Sequence, residues 1–409
     1  MKKLTSKTVT ILIMVVIFTF SIAARAAEVQ GNQYGHVKQK LHAYFEQLAA
    51  DRIFSGAVIV AREGHVLLKD GFGLADYDAG EKNKPKTVYG IGSMSKAFTV
   101  MSIMMLEERG LLSVEDTLDK YIPGFTNGDI ITIHQLLNHT SGMFEYINDP
   151  TSTIWENGLE KLALYHTPDQ LLDYFIDRSP YFAPGAQWSY CNSAFVVLGI
   201  IIEQVSGMTY GDFIEKNILK PLHMKDTTYD PMVLDLPRQA VGYNDVLTDP
   251  PCVAPLLHAS VAYSAGGIFS TVEDMYKWDQ ALYTDRLVSF ETLNKIFTPG
   301  LGDYGYGWFI DTLDIAGQPH KQIWHWGSTL GYHSLISRLV DEKVTLILLH
   351  NTNAPNDSFE DQEIMRHDVY NILFNPGFTA EKSTLETMRR HRRAAANRQD
   401  ASPGFRKLH

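Results

Sequence analysis

The pattern of hydrophobic and polar positions divides the chain into strand-like segments near both ends and helix-like segments between them. Residues 34–49 carry apolar side chains at helical spacing, and the apolar runs 57–61 and 66–69 around a short polar turn predict a β-hairpin. Beyond residue 300 the pattern becomes strand-like again and closes with a helix at 357–374. The strands predicted there are 306–310, 322–326, 334–339 and 344–349.

The middle of the chain, about 100–290, is predicted to be mainly helical, because Gly and Pro residues separate segments with helical spacing. The clearest helices are 168–176, 195–205, 210–218 and 272–282.

Strands at both ends that bracket a helical middle predict an α/β fold of the α+β type. We expect one mostly antiparallel sheet, built from the two ends of the chain and flanked by terminal helices, with an inserted all-α lobe. The sheet lobe would take about 28–92 and 300–378, and the helical lobe 93–299. The cleft between the lobes is where a site is expected.

The first 26 residues resemble a Sec-type signal peptide. Three lysines precede an apolar run from Val9 to Ile22, and Ala24-Arg25-Ala26 resembles a cleavage site before Ala27. We therefore expect an exported protein that is secreted, periplasmic or associated with the cell envelope. An uncleaved N-terminal anchor is the alternative.

The main domain, 27–378, and the last residues, 379–409, differ in the sign of their net charge. The net charge of −11 argues against a general nucleic-acid-binding protein. Residues 382–409 nevertheless hold eight basic and two acidic side chains. We expect a solvated, disordered tail, and the alternative is a contact with anionic lipid headgroups or cell-wall polymers.

The two cysteines, Cys191 and Cys252, are too few for a disulfide scaffold. They could pair after export, but we expect both to be free thiols. No zinc-ligand spacing and no phosphate-binding glycine motif occurs in the sequence.

The first candidate for chemistry is Ser93-Met94-Ser95-Lys96, which precedes an apolar helix-like run. If Ser93 opens a helix, Lys96 lies on the same face and its amine can reach the serine hydroxyl. A lysine with a lowered pKa could then accept the proton of Ser93 and activate it as a nucleophile. The plain alternative is a helix start with Ser93 as its N-cap.

Two further motifs could complete such a site. Tyr190-Cys191-Asn192 follows a loop with Pro and Gly, and a tyrosine whose pKa is lowered by a nearby cation can act as a base or proton relay. His325-Trp326-Gly327-Ser328 lies at the end of a predicted strand, where a backbone N–H can face an oxyanion. Each motif could also be structural: a core tyrosine with a capping Asn192, and a buried His325.

Taken in order, Ser93-x-x-Lys96, Tyr190-x-Asn192 and His325-x-Gly327 resemble the motif set of the serine penicillin-recognising hydrolases. The chain is most similar to the group related to class C β-lactamases, D-alanyl-D-alanine carboxypeptidases and esterases, over about residues 37–350. The segments that agree besides these motifs are 136–142, 221–227 and 265–271.

This resemblance implies a β-lactamase/transpeptidase-like fold and a two-step reaction through an acyl-enzyme. Ser93 would be the acylated nucleophile and Lys96 its partner in proton transfer. Tyr190 would be the general base or relay, and Asn192 would position the substrate amide. The backbone N–H groups of Ser93 and Ser328 would form the oxyanion hole.

By the same resemblance, the third motif would bind substrate through His325, Gly327 and Ser328. No metal or organic cofactor is implied. The partner would be a small peptide, an ester or a β-lactam, with cell-wall peptidoglycan as a natural source of the peptide.

The third motif also departs from the class C pattern, because His325 stands where those enzymes carry a lysine. A histidine that is near neutral at pH 7 holds a substrate carboxylate less firmly. Trp326 is bulkier than the residue common in β-lactamases, and Cys191 replaces a small residue that is usually Ser or Ala.

We therefore predict an exported serine hydrolase that cleaves a peptide bond, of D-amino-acid or carboxypeptidase type, or an ester bond. The alternatives are a class C-like β-lactamase and a penicillin-binding cell-envelope protein with little turnover.

Overall fold

In a computed structural model, the chain is described over residues 34–156, 158–230, 232, 236–352, 359–380, 386–388 and 390. The predicted signal peptide and most of the predicted basic tail lie outside these residues. Within them, the strands are β1 (Gly56–Arg62), β2 (His65–Phe72), β3 (Leu74–Asp76), β4 (Glu81–Lys82), β5 (Tyr89–Gly90), β6 (Tyr243–Asp245), β7 (Cys252–Val253), β8 (Phe269–Ser270), β9 (Phe309–Ile315), β10 (Gln318–Thr329), β11 (Tyr332–Leu339) and β12 (Val344–His350).

The longer helical segments of the same residues are α1 (34–50), α2 (Ser95–Glu108), α3 (Ile133–Leu137), α4 (Leu159–Leu162), α5 (Pro168–Leu172), α6 (Asn192–Ser206), α7 (Tyr210–Ile214), α8 (Lys220–Leu222), α9 (Ala259–Gly266), α10 (Val272–Ala281), α11 (Phe290–Ile296) and α12 (Phe359–Phe374). A π-helical turn, Glu215–Leu219, joins α7 to α8.

One six-stranded antiparallel sheet organises the fold, with the strand order β2-β1-β12-β11-β10-β9. The N-terminal hairpin β1–β2 joins the C-terminal strands through β1 and β12, which pair from Gly56 with His350 to Arg62 with Val344. This confirms the predicted sheet built from the two ends of the chain.

Alternate residues of the central strands enter two different cores, because successive side chains of a strand point to opposite faces of the sheet. On β1, Ala57 and Ile59 belong to the core that continues into the helical lobe. Val58 and Val60 face the other way and pack into the core that includes residues of α1 and α12. On that second face, the Tyr44 hydroxyl of α1 donates to the Asp368 carboxylate of α12 at 3.0 Å.

The inserted segment 93–299 is less purely helical than we predicted. It contains β8, which pairs with β5, and the two-stranded pair β6–β7. These strands have two or three residues each, which is too short for an alternating pattern to be recognised in the sequence. In addition, α10 packs on β1 and β12 of the main sheet rather than only on other helices.

The first strand after residue 300 also lies later than predicted, at Phe309–Ile315 instead of 306–310. β9 is an edge strand, and its alternate positions Asp311, Leu313 and Ile315 do not form a uniformly apolar face. The polar residues Asp311, Thr312 and Asp314 therefore concealed it in the hydrophobic pattern.

Both cysteines are free thiols, as predicted, with Cys191 buried and Cys252 exposed. Among the helices of the described ranges, no single one is long and apolar enough to cross a membrane. The segments Asn192–Ser206 and Tyr210–Leu222 together meet that length and composition, with a bend of 74° between them.

A buried ion pair fixes α10 to the sheet, and its removal should be costly. The Arg338 Nε on β11 donates to Asp279 of α10 at 2.6 Å, and both side chains are almost fully buried. We expect Asp279→Ala to lower the free energy of unfolding by about 3–5 kcal/mol, because Arg338 would remain buried without its partner charge. Urea unfolding followed by circular dichroism measures the loss.

The matched control is Glu215→Ala, which breaks the exposed ion pair between Glu215 and Lys220 at 3.5 Å. Such a pair contributes about 1 kcal/mol or less. Equal losses for Asp279→Ala and Glu215→Ala would contradict the role assigned to the buried pair.

Candidate active site

Ser93 lies in a single 3₁₀ turn, Gly92–Met94, directly before α2. The helix itself begins two residues later than predicted, at Ser95. Gly92 has a φ of 51°, and a Cβ built on it would lie 2.7 Å from the Ser328 N of β10. A glycine is therefore required both for the backbone conformation and for the close approach of β10 to the serine.

Lys96 is fully buried on the first turn of α2, and its Nζ contacts three oxygen atoms. These are Ser93 Oγ at 3.1 Å, Asn192 Oδ1 at 2.7 Å and the backbone oxygen of Ala265 at 2.8 Å. Burial lowers the pKa of Lys96 to about 7, although the nearby Glu145 and Cys191 act in the opposite direction. Near neutral pH both the ammonium and the free amine are therefore accessible, which a base for Ser93 requires.

Tyr190 lies over the same lysine, with its ring centroid 4.8 Å from Lys96 Nζ. Its buried hydroxyl has no hydrogen-bond partner of ordinary geometry in the described part of the chain. Burial raises the pKa of Tyr190, and the Ser93 hydroxyl opposes only part of this effect. This corrects the expectation that Lys96 lowers the tyrosine pKa: the phenol stays protonated, which suits a proton relay better than a base.

Asn192 is the first residue of α6, and its side-chain amide is held in one orientation. Its Oδ1 accepts from Lys96, while its Nδ2 donates to Glu145 Oε1 at 3.2 Å and its backbone N–H donates to Glu145 Oε2. Glu145 also accepts from the backbone N–H groups of Ile147 and Asn148. Burial raises the pKa of Glu145, and these hydrogen bonds oppose the rise.

The third motif brings the backbone of β10 against the nucleophile. A Cβ on Gly327 would lie 2.1 Å from the backbone oxygen of Ile91 and 2.9 Å from Ser93 N. Only a glycine allows this approach, which sets Ser328 beside Ser93. Two backbone N–H groups from different elements can thus converge on one oxygen atom, as an oxyanion hole requires.

His325, which was predicted to bind substrate, lies outside the cavity lining, so its contact with substrate stays a prediction. The ring is fully buried, and Trp326 rather than His325 lines the cavity described below. The His325 Nδ1–H donates to the Trp326 backbone oxygen at 2.5 Å, so the neutral Nε2 accepts from the Tyr304 hydroxyl at 3.0 Å. Burial, aided by the Lys96 charge, lowers the pKa of His325 to about 3, and the ring therefore remains neutral.

His139 is a site residue to which the sequence analysis gave no role, although it lies in the segment 136–142 that matched the family. Its backbone oxygen accepts from Ser189 N at 3.0 Å, and its Nδ1 accepts from Cys191 N at 3.1 Å. Its ring lies 4.3 Å from that of Tyr190. Burial lowers the pKa of His139, so a neutral ring supports the segment that carries Tyr190.

A cavity of about 610 Å³ opens over Ser93, and seven of the residues that line it are aromatic. Ser93, Tyr190, Asn192 and Ser328, all predicted from the sequence, line it. Lys96 and Gly327 do not line the cavity but contact Ser93: the lysine amine donates to Ser93 Oγ, and the backbone of Gly327 lies close to Ser93 N. The remaining aromatic residues of the lining are Tyr146, Trp155, Tyr181, Trp188, Phe309 and Trp326.

The charged side chains that line this cavity, within the described residues, are the carboxylates of Glu145 and Asp149. Partial burial disfavours ionisation of Asp149, but hydrogen bonds from Thr151 and Tyr181 lower the pKa of its carboxyl overall. The charge of Arg178 acts on Asp149 from outside the lining. The lining therefore contains two carboxyl groups and, among the described residues, no Lys, Arg or His side chain.

Taken together, these groups can perform acyl transfer: a serine hydroxyl, an amine with a pKa near neutrality, a protonated phenol, and backbone N–H groups close to the nucleophile. Loops on either side of the cavity supply the walls that would select the substrate.

Comparison with known proteins agrees with this arrangement. The family model described as Beta-lactamase matches residues 41–370. A penicillin-binding protein from Bacillus subtilis (strain 168) is 31% identical over 356 residues, which are 82% of this chain and 76% of the relative.

Two solved structures are similar in both fold and sequence. The octameric penicillin-binding protein homologue from Pyrococcus abyssi has a TM-score of 0.70 and 27% identity, and the match covers 84% of this chain and 78% of that one. A D-stereospecific amidohydrolase from Streptomyces sp. has a TM-score of 0.69 and 27% identity, with 84% and 99% covered.

The buried position of Lys96 predicts an unusual titration. We expect its side-chain amine to titrate at about pH 7. In NMR spectra of protein with ¹³C-labelled lysine, one Cε resonance should shift near that pH and should be missing in Lys96→Met. A single titration of all lysines near pH 10.5 would contradict this prediction.

The same pKa predicts how stability depends on pH. Between about pH 7 and 10.5 the unfolded chain binds a proton at Lys96 that the folded protein does not, so the free energy of unfolding rises with pH. In Lys96→Met, the free energy of unfolding should rise less between about pH 7 and 10.5 than it does in the wild type.

Proposed function

This chain belongs to the β-lactamase family of serine hydrolases, and we propose that Ser93 is its nucleophile. Its substrate would be the amide or short peptide of a D-amino acid with a free ammonium group. The observation that carries the substrate class is the charge of the cavity, whose lining presents Glu145 and Asp149. We also propose export, which rests on the signal-like residues 1–26 outside the described part of the chain.

In the proposed acylation step, the neutral amine of Lys96 accepts the proton of Ser93 while Oγ attacks the substrate carbonyl carbon. The backbone N–H groups of Ser93 and Ser328 bind the negative oxygen that forms. When the amide bond breaks, the Tyr190 phenol gives its proton to the leaving amine and is reprotonated from Lys96. Asn192 keeps Lys96 in place and orients the substrate amide.

In the second step, water attacks the ester on Ser93. A proton of the water passes to the neutral amine of Lys96, with the Tyr190 phenol as relay, and Lys96 returns a proton to Ser93 Oγ when the ester C–O bond breaks and the D-amino acid leaves. The role assigned to Lys96 as the base is supported by its pKa of about 7, whereas the raised pKa of Tyr190 supports its role as a relay.

The charges of the cavity favour an amine-bearing substrate over one that carries a carboxylate. A carboxypeptidase substrate and a penicillin each present a carboxylate, and no Lys, Arg or His occurs among the described residues that line the cavity. The neutral, buried His325 does not replace such a cation. The similarity to a D-stereospecific amidohydrolase supports the D-amino-acid class.

The alternative is a penicillin-binding protein with little turnover, which the name of the relative from Bacillus subtilis supports. The experiment below therefore includes a penicillin. A long-lived adduct on Ser93 without product would favour this alternative, and rapid hydrolysis of the penicillin would favour a β-lactamase.

The role of Ser93 is tested with residues 27–409 by intact mass spectrometry and product analysis, using D-phenylalanine amide, a p-nitrophenyl ester and a penicillin. We expect turnover of the amide by the wild type and neither adduct nor product with Ser93→Ala. Ser113→Ala, an exposed serine outside the cavity, should behave as the wild type. Amide turnover retained in Ser93→Ala would refute the proposed mechanism.

The ammonium group of the substrate should contribute strongly to recognition. We expect kcat/KM to be about 10-fold to 100-fold lower for N-acetyl-D-phenylalanine amide than for D-phenylalanine amide, because a charged hydrogen bond contributes about 1.5–3 kcal/mol. Asp149→Asn should reduce this discrimination.

The control for Asp149→Asn is Asp341→Asn, which makes the same change in an exposed turn. If the acetylated amide were the better substrate of the wild type, the acidic lining would have another purpose and the proposed substrate class would be wrong.

A further inference from the structure

A separate cavity, of about 480 Å³, lies in the helical lobe. It has no lining residue in common with the cavity over Ser93. Its walls come from α6, α7, α9, the π-helical turn and the loops around residues 166 and 229. Tyr263 of α9 lies among these walls, and we therefore call this space the Tyr263 cavity.

The Tyr263 cavity is rich in carboxylates, and no Lys or Arg occurs among the described residues that line it. The carboxylates are those of Glu203, Asp212, Glu215 and Asp230. Within the described ranges, one of them forms an ion pair, Glu215 with Lys220 at 3.5 Å, and Lys220 lies outside the lining. The ring nitrogens of His166 already contact protein groups, Nδ1 the Leu164 oxygen at 3.0 Å and Nε2 the Tyr174 hydroxyl at 3.3 Å. The lining therefore has an excess of acidic over basic side chains.

The group that points to a ligand is the hydroxyl of Tyr263. The residue is only 3% exposed and lines the cavity, yet its hydroxyl has no hydrogen-bond partner of ordinary geometry in the described part of the chain. Burial and the nearby charge of Glu203 raise the pKa of Tyr263, so the phenol stays protonated. A buried hydroxyl without a partner costs free energy, and a ligand that bonds to it recovers this cost.

The position of this hydroxyl is fixed by packing. The ring centroid of Tyr263 lies 5.3 Å from that of Tyr210 and 5.8 Å from that of Tyr229. Tyr229 in turn lies against α7, where a Cβ built on Gly211 would be 2.7 Å from the Tyr229 oxygen. The Tyr263 side chain therefore cannot turn freely toward another protein group, and its hydroxyl stays at the wall of the cavity.

The lining favours an organic cation over a metal ion. In the part of the chain that the structure describes, no group of three or more His, Cys, Asp and Glu side chains is placed to hold a metal ion. Glu203 and Glu215 are half-buried, whereas Asp212 and Asp230 are exposed, so carboxylates occur at two depths. A linear alkyl chain with an ammonium group at each end can contact a carboxylate at each depth, while its methylene groups lie against the tyrosine rings of the lining.

We propose that the Tyr263 cavity is a second binding site of this protein and that its ligand is a linear aliphatic diamine. One ammonium group donates to the Glu203 carboxylate and to the Tyr263 hydroxyl oxygen. The other binds at the exposed carboxylates of Asp212 and Asp230. This inference does not depend on the proposed function, because none of these residues takes part in the reaction at Ser93.

The experiment measures binding to residues 27–409 by isothermal titration calorimetry at pH 7 and constant salt. The probes are 1,5-diaminopentane, 1-aminopentane and 1,5-pentanediol, which have the same chain length and carry two, one and no ammonium groups. We expect the Kd of the diamine to be about 10-fold lower than that of the monoamine, because the second ammonium group adds charge-assisted hydrogen bonds. The diol should bind most weakly, and equal binding of the diol and the diamine would overturn the assignment.

Two variants test the location. Tyr263→Phe removes a hydroxyl that has no partner in the protein, so the free energy of unfolding without ligand should not fall, whereas the Kd of the diamine should rise about 10-fold to 100-fold. Glu203→Gln should raise it about 10-fold, since the amide oxygen can still accept from the Tyr210 N–H but the charge is lost. The control Glu291→Gln makes the same change at an exposed position of α11 and should keep the wild-type Kd.

The acidic residues over Ser93 offer a competing place for a diamine, and Asp149→Asn tests it. We expect the wild-type Kd in this variant. If Asp149→Asn raises the Kd while Tyr263→Phe and Glu203→Gln do not, the diamine binds over Ser93 and the inference is wrong. It is also wrong if the wild type does not bind the diamine or if no variant changes the Kd. None of these results bears on the nucleophile, which Ser93→Ala tests separately.

Discussion

The burial of Lys96 is the constraint on which the rest of the site depends. An amine titrates near neutrality only when it is shielded from water, yet its charged form must still find acceptors in that position. Here Ser93 supplies one acceptor from the preceding turn, while Asn192 and Ala265 supply the others from α6 and α9. The environment of the proposed base is therefore created by the packing of three helices, and any change that loosens α6 or α9 would also alter the proton affinity of Lys96.

The sheet fixes a second part of the site, which is the position of β10 relative to Ser93. Gly327 and Gly92 let β10 lie directly against the turn that carries Ser93, so Ser93 and this strand cannot move independently. Next to Tyr190 lie the neutral rings of His139 and His325: His139 Nδ1 accepts from the Cys191 N–H, and both ring nitrogens of His325 bind protein groups. These histidines support the reacting groups, and because burial keeps them uncharged they add no cation to compete with Lys96.

Most of the walls that would choose a substrate do not contact Lys96, but Glu145 binds Asn192, which accepts a hydrogen bond from Lys96. Glu145 and Asp149 belong to the loop after residue 142, and Leu256 and Leu257 to the loop before α9. The lining of the cavity over Ser93 includes these two acidic side chains and seven aromatic ones, whereas no charged side chain occurs among the described residues that line a neighbouring cavity of about 250 Å³. Members of one family can thus share a nucleophile and a base while differing in substrate, because loops change without disturbing the sheet and the buried lysine.

The sequence alone determined the sheet built from both chain ends and the mainly helical character of the middle, and it predicted Ser93, Lys96, Tyr190, Asn192 and Ser328, which the structure brings together. These follow from short-range patterns: alternation along strands, helical spacing, and motifs whose members lie within four residues of each other. Only the tertiary structure decided that His325 is buried outside the cavity lining, that Glu145 lines the cavity and His139 lies against Tyr190, and that the pKa of Tyr190 is raised. Burial and charge at these positions arise from residues distant in the chain, and no local pattern records which side chains will surround a group once the chain has folded.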